Sequence, residues 1–351
     1  MSAAASKSRV YFLPWEERDR LPDLLEQSGA SSVIRAGDLA AIKMHFGEKN
    51  NNGYIRPELV RPIIGMIRRC KASPFLTDTN TIYRGSRSNA VDHLAVAAEH
   101  GFSQTRLQTP VIIADGLKGD DYEEVEIEGK HFKSVKIATA ILKADAIVAL
   151  SHFKGHLLAG FGGAIKNMGM GCGARIGKFE MHSGVAPEVA LDLCTACGQC
   201  VAACGQDALS IVDGKVHLDV ARCAGCGECV VVCDYRALNV VWQKETADVQ
   251  ERFAEYAAGG ARGKRAFYLN FLNHITPNCD CMSSKEEPIA PDIGILASAD
   301  PVAIDQASLT LVIERAGDVF AKAWPDIDCT VQLEHAERLG MGKREYKLVK
   351  I

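Results

Sequence analysis

The sequence predicts an α/β fold: a doubly wound body with a mostly parallel sheet, interrupted by a small inserted α+β domain. Three observations carry this. Short apolar strands alternate with helical stretches over most of the chain, the pattern of parallel strands joined by helical crossovers. Eight of the thirteen cysteines crowd into residues 194–233, and the strand–helix alternation resumes beyond them. Finally, 351 residues exceed what one compact core commonly holds. The division that follows is 1–186 for the first part of the body, 187–242 for the insert and 243–351 for the second part.

In the first part, residues 9–13, 39–44, 74–77, 111–114 and 146–150 are apolar runs of strand length bounded by turn residues. Helices are expected at 57–71, 89–101 and 137–144, the second carrying Val91, Leu94, Ala95 and Ala98 at helical spacing. Residues 122–136, with Glu128-Gly129-Lys130 at their turn, predict a surface hairpin. After the insert, 246–260 form the return connection, 265–272 and 292–297 are strand-like, and 301–316 is a helix with Pro301 in its first turn. The tail, 334–347, is charged and helix-prone at its start and is expected to cover the body.

Composition narrows the partners. Hydrophobic residues make up 47% and charged residues 24% of the chain, as in soluble globular proteins. A net charge of -4 argues against a general nucleic-acid binder. The best apolar stretch, 137–150, is broken by Lys143 and Asp145 and falls short of the about 20 residues of a membrane span. Residues 1–11 lack the apolar core of a signal peptide. A cytoplasmic chain without nucleic acid or membrane span is expected.

The cysteines read Cys194-x2-Cys197-x2-Cys200-x3-Cys204 and Cys223-x2-Cys226-x2-Cys229-x3-Cys233, an internal repeat with an offset of 29 residues. Gly198 matches Gly227, Gln199 matches Glu228, and Ala208-Leu209 matches Ala237-Leu238. Three thiolates three residues apart can wrap a corner of a four-iron cube, and the fourth iron takes a cysteine from the other half. Cys194, Cys197, Cys200 and Cys233 are therefore expected to hold one 4Fe–4S cluster, and Cys223, Cys226, Cys229 and Cys204 a second. Zinc knuckles use four ligands in paired spacings rather than two runs of four. Residues 187–242 closely resemble bacterial two-cluster ferredoxins, although Gly205 and Asp234 stand where those have proline after the fourth cysteine.

The loops of the body are rich in glycine and polar residues at 43–48, 78–85, 151–156, 160–167 and 273–281. Each follows an expected strand or opens a helix, where open α/β sheets bind ligands. Lys43, His45, Arg84 and Arg87 are expected to form an electropositive rim for an anionic ligand. Gly162 and Gly163, before Lys166 and Asn167, are expected to present backbone amides to a phosphate or carboxylate at a helix start. His152 and His156 are candidates for hydrogen bonding or proton transfer beside Lys154 and Lys166. Cys279 and Cys281 are the only closely spaced thiols outside the repeat. In an extended segment they would face one site, as a reducible disulfide, ligands of a third metal site, or thiolates beside a cofactor.

These loops and the insert together resemble the domain-of-unknown-function family 362, its ferredoxin-containing branch, over about residues 10–317. The segment Phe161-Gly162-Gly163-Ala164-Ile165-Lys166 is also similar to the glycine-rich segment of lactate racemases. There the lysine carries a nickel-pincer nucleotide, which implies that Lys166 faces a ligand and that His152 or His156 lies nearby. The reading that follows is an iron–sulfur oxidoreductase or electron-transfer protein of an anaerobic or microaerobic cytoplasm. Its ferredoxin module would relay single electrons to a cofactor or substrate in the body, a flavin being the plausible converter to pairs. A racemase-like isomerase with an anionic nucleotide and a non-catalytic electron-carrier subunit remain the alternatives. A redox partner protein, a small-molecule ligand and a homo-oligomer or larger complex are the expected partners.

Overall fold

The computed structural model describes residues 7–82, 85–182, 186–223, 227–239, 241 and 246–351. Arg84 and Cys226, both expected site residues, lie outside the described residues.

Eight strands form the central sheet: β1 (Ser8–Pro14), β2 (Leu39–Lys43), β3 (Ser73–Asp78), β4 (Val111–Ile113), β5 (Ala146–His152), β6 (Arg265–Leu272), β7 (Gly294–Ser298) and β8 (Tyr346–Lys350). Their order is β8-β1-β7-β6-β5-β2-β3-β4. Strand β7 runs antiparallel to β1 and β6, and the other five pairings are parallel. The exception follows from connectivity. Parallel neighbours need a crossover, commonly a helix, and residues 273–293 between β6 and β7 contain none.

Both faces of the sheet are covered, so its central strands bury residues pointing to both sides rather than only alternate ones. In β5 all seven residues are buried. Ala146, Val148 and Leu150 join one core with α1 (Leu21–Gln27), α2 (Pro57–Arg69) and Ala97 of α3 (Ala90–Glu99). Ile147 and Ala149 join the other. That second core holds residues of α4 (Ala164–Cys172), α5 (Arg175–His182), α6 (Thr246–Ala261), α7 (Pro301–Ala316) and α8 (Val331–Arg338). The result is a mixed α/β fold with a large, mostly parallel central sheet. No helix among the described residues is long and apolar enough to cross a membrane.

Two expected elements are redistributed. Ile137 and Ala138 end the second strand of the expected hairpin, where Ile137 pairs with Glu123, and the helix is left with Thr139–Lys143. The apolar run had helical length, but hairpin register claimed its start. The tail is helical over α8 and then becomes an edge strand, β8, in parallel register with β1.

The cysteine-rich segment builds a small unit with its own core of Leu209, Val216, Val230 and Leu238 around Cys200 and Cys229, joined by Ile82 and Phe179 of the body. Glu188–Val189 pairs antiparallel with Leu238–Asn239 at its base, and Leu209–Val212 with Lys215–Leu218. One-turn helices Gln199–Ala202 and Glu228–Val232 follow Gly198 and Gly227.

Candidate functional site

The carboxyl ends of β2, β3 and β5, the start of α4 and the loop after β6 surround a cavity of about 690 Å³. On one side, the buried Lys43 ammonium at the end of β2 lies 3.0 Å from Asp78 at the end of β3 and donates to Asn167 Oδ1 at 2.8 Å. Asn167 in turn donates to the Leu150 carbonyl and to Ser151 Oγ. Burial alone would raise the Asp78 carboxyl, but Lys43, His93 and Arg87 bring it below its usual range. Arg87 is equally buried, 3.2 Å from Glu48 and 3.5 Å from Asp78. Lys43 and Arg87 are therefore internally paired cations of the cavity wall rather than an open rim, because a buried charge requires a partner.

Opposite, Asp280 is sealed between His152 and Lys154. The His152 ring is held at both ends, Nδ1 at 2.9 Å from Asp280 Oδ1 and Nε2 at 2.8 Å from the Asn273 carbonyl. Both ring nitrogens thus face oxygen acceptors, and His152 acts as a strut. Lys154 donates to the His152 carbonyl at 2.9 Å and stands 3.4 Å from Asp280. Burial works against the Asp280 charge, yet His152 and Lys154 hold the carboxyl far below the usual range.

His45 and His156 also line the cavity. Burial and the surrounding cations push both well below the ordinary imidazole range, so both are neutral. His45 Nδ1 accepts from the Gly47 N–H at 2.9 Å and His156 Nδ1 from the Leu158 N–H at 3.2 Å. Each ring must then carry its proton on Nε2, as a donor.

The amides at the start of α4 have a different occupant from the one expected. Asp305 of α7 accepts from the N–H groups of Ala164 at 2.7 Å and Ile165 at 2.9 Å, and from Asn270 Nδ2 at 2.7 Å. The chain's own carboxylate thus fills the anion position at the helix N-terminus. Gly163 permits it, since a Cβ there would lie 2.3 Å from Asp305 Oδ1. Gly162 leaves room instead for the Lys166 stem, 2.9 Å from where a Cβ would be.

Lys166 reaches the loop after β6, where its ammonium donates to Cys279 Sγ at 3.2 Å. The segment Cys279-Asp280-Cys281-Met282 is a turn, with the Met282 N–H bonded to the Cys279 carbonyl at 2.9 Å. The extended geometry expected from sequence is absent, yet the turn brings both sulfurs to the cavity wall. The neighbouring Cys281, with Lys166 and Lys154, holds Cys279 well below the usual thiol range against the effect of burial. Cys281 is pushed up by its neighbour Cys279 and by burial.

Sequence reading passed over α5, which presents Lys178 and His182 to the same cavity. Their i, i+4 spacing on one helix face was the available signal. Lys178 donates to the carbonyls of Asn80 at 2.6 Å and Gly173 at 3.2 Å, and burial lowers it to about 8. Around the cavity Lys43, Arg87, Lys154, Lys166 and Lys178 stand with the carboxylates Glu48, Asp78 and Asp280, and Asp115 acts on Lys178 from behind.

In the cysteine-rich unit, Cys194, Cys197, Cys200 and Cys233 line one small cavity. Backbone N–H groups point at its sulfurs: Ala196 and Val216 donate to Cys194 at 3.4 and 3.3 Å, and Ala237 to Cys233 at 3.2 Å. In the other half Ala208 donates to Cys204 at 3.2 Å, the equivalent bond at the 29-residue offset. The unit meets the body on α5, where the Phe179 ring lies 2.2 Å from the position a Gly227 Cβ would take and Arg175 donates to the Val231 carbonyl at 3.3 Å. Ile82 belongs both to the core of this unit and to the wall of the large cavity. Among the described residues, one set of three or more ligating groups converges within 4.8 Å, namely His131, Asp248 and Glu251. Glu251 there is already paired with Lys130 at 2.6 Å and Arg338 at 3.3 Å.

A family model described as "Domain of unknown function (DUF362)" matches residues 40–310. No curated protein matches the chain. Among solved structures, the lactate racemase apoprotein from Thermoanaerobacterium thermosaccharolyticum is similar at 13% identity and a TM-score of 0.36, over 77% of this chain and 52% of that one. A protein from Thermotoga maritima is similar at 9% identity and a TM-score of 0.38, over 92% of this chain and 59% of that one. The chain thus spans 52% and 59% of the lengths of these two structures.

Proposed function

This chain belongs to the DUF362 family, and we propose that it is an iron–sulfur oxidoreductase whose ferredoxin-like unit, residues 187–242, exchanges electrons with an anionic ligand held in the large cavity of the body. The observation that carries this reading is the convergence of Cys194, Cys197 and Cys200 with Cys233 of the other half on one cavity, the crossed set that the repeat calls for. The donor set suits a cluster. Four thiols gather without any three closing to the distance a single ion demands, and backbone amides aim at the sulfurs. Cys204, Cys223, Cys226 and Cys229 would hold the second cluster, on the side of the unit that meets α5. Bound clusters supply one-electron transfer.

The chain's own residues do the rest. Ile82, which lines the cavity, and Phe179 of α5 pack into the core of the cysteine unit, an apolar contact between the two. Lys166 and Lys154, with Nε2–H donors from His45 and His156, offer positive charge and hydrogen bonds to an anion such as a carboxylate or a flavin phosphate. His152 and Asp280 hold the loop that completes the wall.

Iron and sulfide analysis of chain purified without oxygen tests the reading, with about eight of each expected per chain. Cys233→Ser should lose the signal of one cluster and keep the other. Stoichiometric zinc in place of iron, or loss of both clusters in a folded Cys233→Ser chain, would overturn it.

A further inference from the structure

Cys279 and Cys281 have a geometry that neither packing nor the iron–sulfur unit requires. They sit on a turn within the 273–293 connection, which has no helix or strand of its own, as befits a loop kept for function. The turn is braced on three sides. Asp280 is clamped by His152 and Lys154, the Asp280 carbonyl accepts from the Glu48 N–H at 2.9 Å, and the Thr276 carbonyl accepts from the Gly155 N–H at 2.8 Å. At Gly155 a Cβ would lie 2.2 Å from the Pro277 carbonyl oxygen, so that strand and loop are in direct backbone contact. The two cysteines are thereby presented to the cavity, Cys279 against Lys166 and Cys281 two residues on in the same turn.

We propose that Cys279 and Cys281 are a redox-active dithiol that reduces an anionic disulfide bound in the cationic cavity. Cys279, as thiolate, attacks one sulfur of the substrate and forms a mixed disulfide, releasing the first thiolate, which takes up a proton. Cys281 attacks Cys279 and releases the second thiolate, which takes the Cys281 proton, leaving a Cys279–Cys281 disulfide. Two electrons and one proton restore the Cys279 thiolate and the Cys281 thiol; with the proton taken by the first thiolate, the sum is one disulfide, two electrons and two protons converted to two thiols. The electron supply rests on the function proposed above, with each reduced cluster giving one electron. The asymmetry of the pair fits the roles. Lys166 stands against Cys279, which lies below the usual thiol range while Cys281 lies above it, the division between an attacking and a resolving thiol. A ring closed across a single residue is tight and therefore easily reduced, which suits a catalytic couple rather than a structural bond.

The test uses the holoprotein, purified without oxygen and reduced with dithionite, and glutathione disulfide as the anionic probe. Differential alkylation with mass spectrometry should show two labels lost together from Cys279 and Cys281, regained on adding dithionite. Cystamine, a cationic disulfide, should react at least about tenfold more slowly because Lys154 and Lys166 stand beside the attacking sulfur. Cys281→Ser should accumulate a glutathione adduct on Cys279. Full alkylation of both cysteines after exposure to glutathione disulfide, with iron content intact, would overturn the dithiol. A chain without iron that still forms the disulfide would overturn the iron–sulfur reading and support the thiol exchange.

Discussion

Asp280 carries more of the site than any other single side chain, because two buried partners, His152 and the Lys154 ammonium, depend on it. His152 Nδ1 and the Lys154 ammonium both point to its carboxylate, and removing one partner of a buried set leaves uncompensated charge. Asp280→Asn should therefore cost about 3–5 kcal/mol, read by denaturant unfolding at pH 7. The pH dependence follows from direction. Its folded carboxyl titrates below the ordinary value of 3.8, so the unfolded chain binds the proton first. The stabilisation is present above that value and lost as pH falls through and below it. The variant should lose less stability than the parent between pH 5 and pH 3 (both about, by the same linkage), and an unchanged acid limb would count against the clamp. Asp305 runs the other way. Burial raises it to about 6 despite its three N–H donors, so its contribution is fully present below about 3.8 and is lost as pH rises through about 6. Neither carboxylate was assigned its role from sequence, since an aspartate in a polar loop or an apolar helix does not announce its partner.

At the scale of elements the 29-residue repeat is also a structural repeat. Gly198 and Gly227 share a φ of 77°, and Asp207 and Arg236, at the same offset, both have positive φ. Only one glycine of the pair touches the body. A Cβ on Gly198 meets nothing within 4 Å, whereas one on Gly227 enters the Phe179 ring. Gly198→Ala should thus cost only the left-handed backbone term, about 1–2 kcal/mol. Gly227→Ala should cost a further 1–3 kcal/mol or so of overpacking and loosen the unit from α5. Hydrogen exchange in residues 227–239 and in α5 checks the difference, and equal effects of the two changes would place the contact elsewhere. The repeat was legible because its spacing is written along the chain. The helix expected at 137–144 was misjudged where it begins, because a strand's claim on Ile137 comes from its partner, Glu123, across a hairpin.

For the whole molecule, the division of cores makes the parts separable. No described residue of 187–242 belongs to the two cores that flank the sheet, and the cysteine unit has a small core of its own. Such a small core cannot hold a fold without a staple. Chelating the iron of the proposed clusters should therefore melt the unit and leave the sheet folded. Limited proteolysis of the stripped chain should cut within 187–242 first, and simultaneous loss of the body would show that the two cores depend on the clusters. The alternating strands, the doubly covered sheet and the cysteine repeat were determined by the sequence itself, because periodicity and short spacing are local properties. The contents of the cavity were decided by tertiary structure alone. Lys166 meets Cys279 across 113 positions and Asp305 caps α4 across 141. Among many lysines and aspartates of equal chemistry, only the packing of helices on the sheet selects which pair is buried together, where water no longer screens the partners from one another.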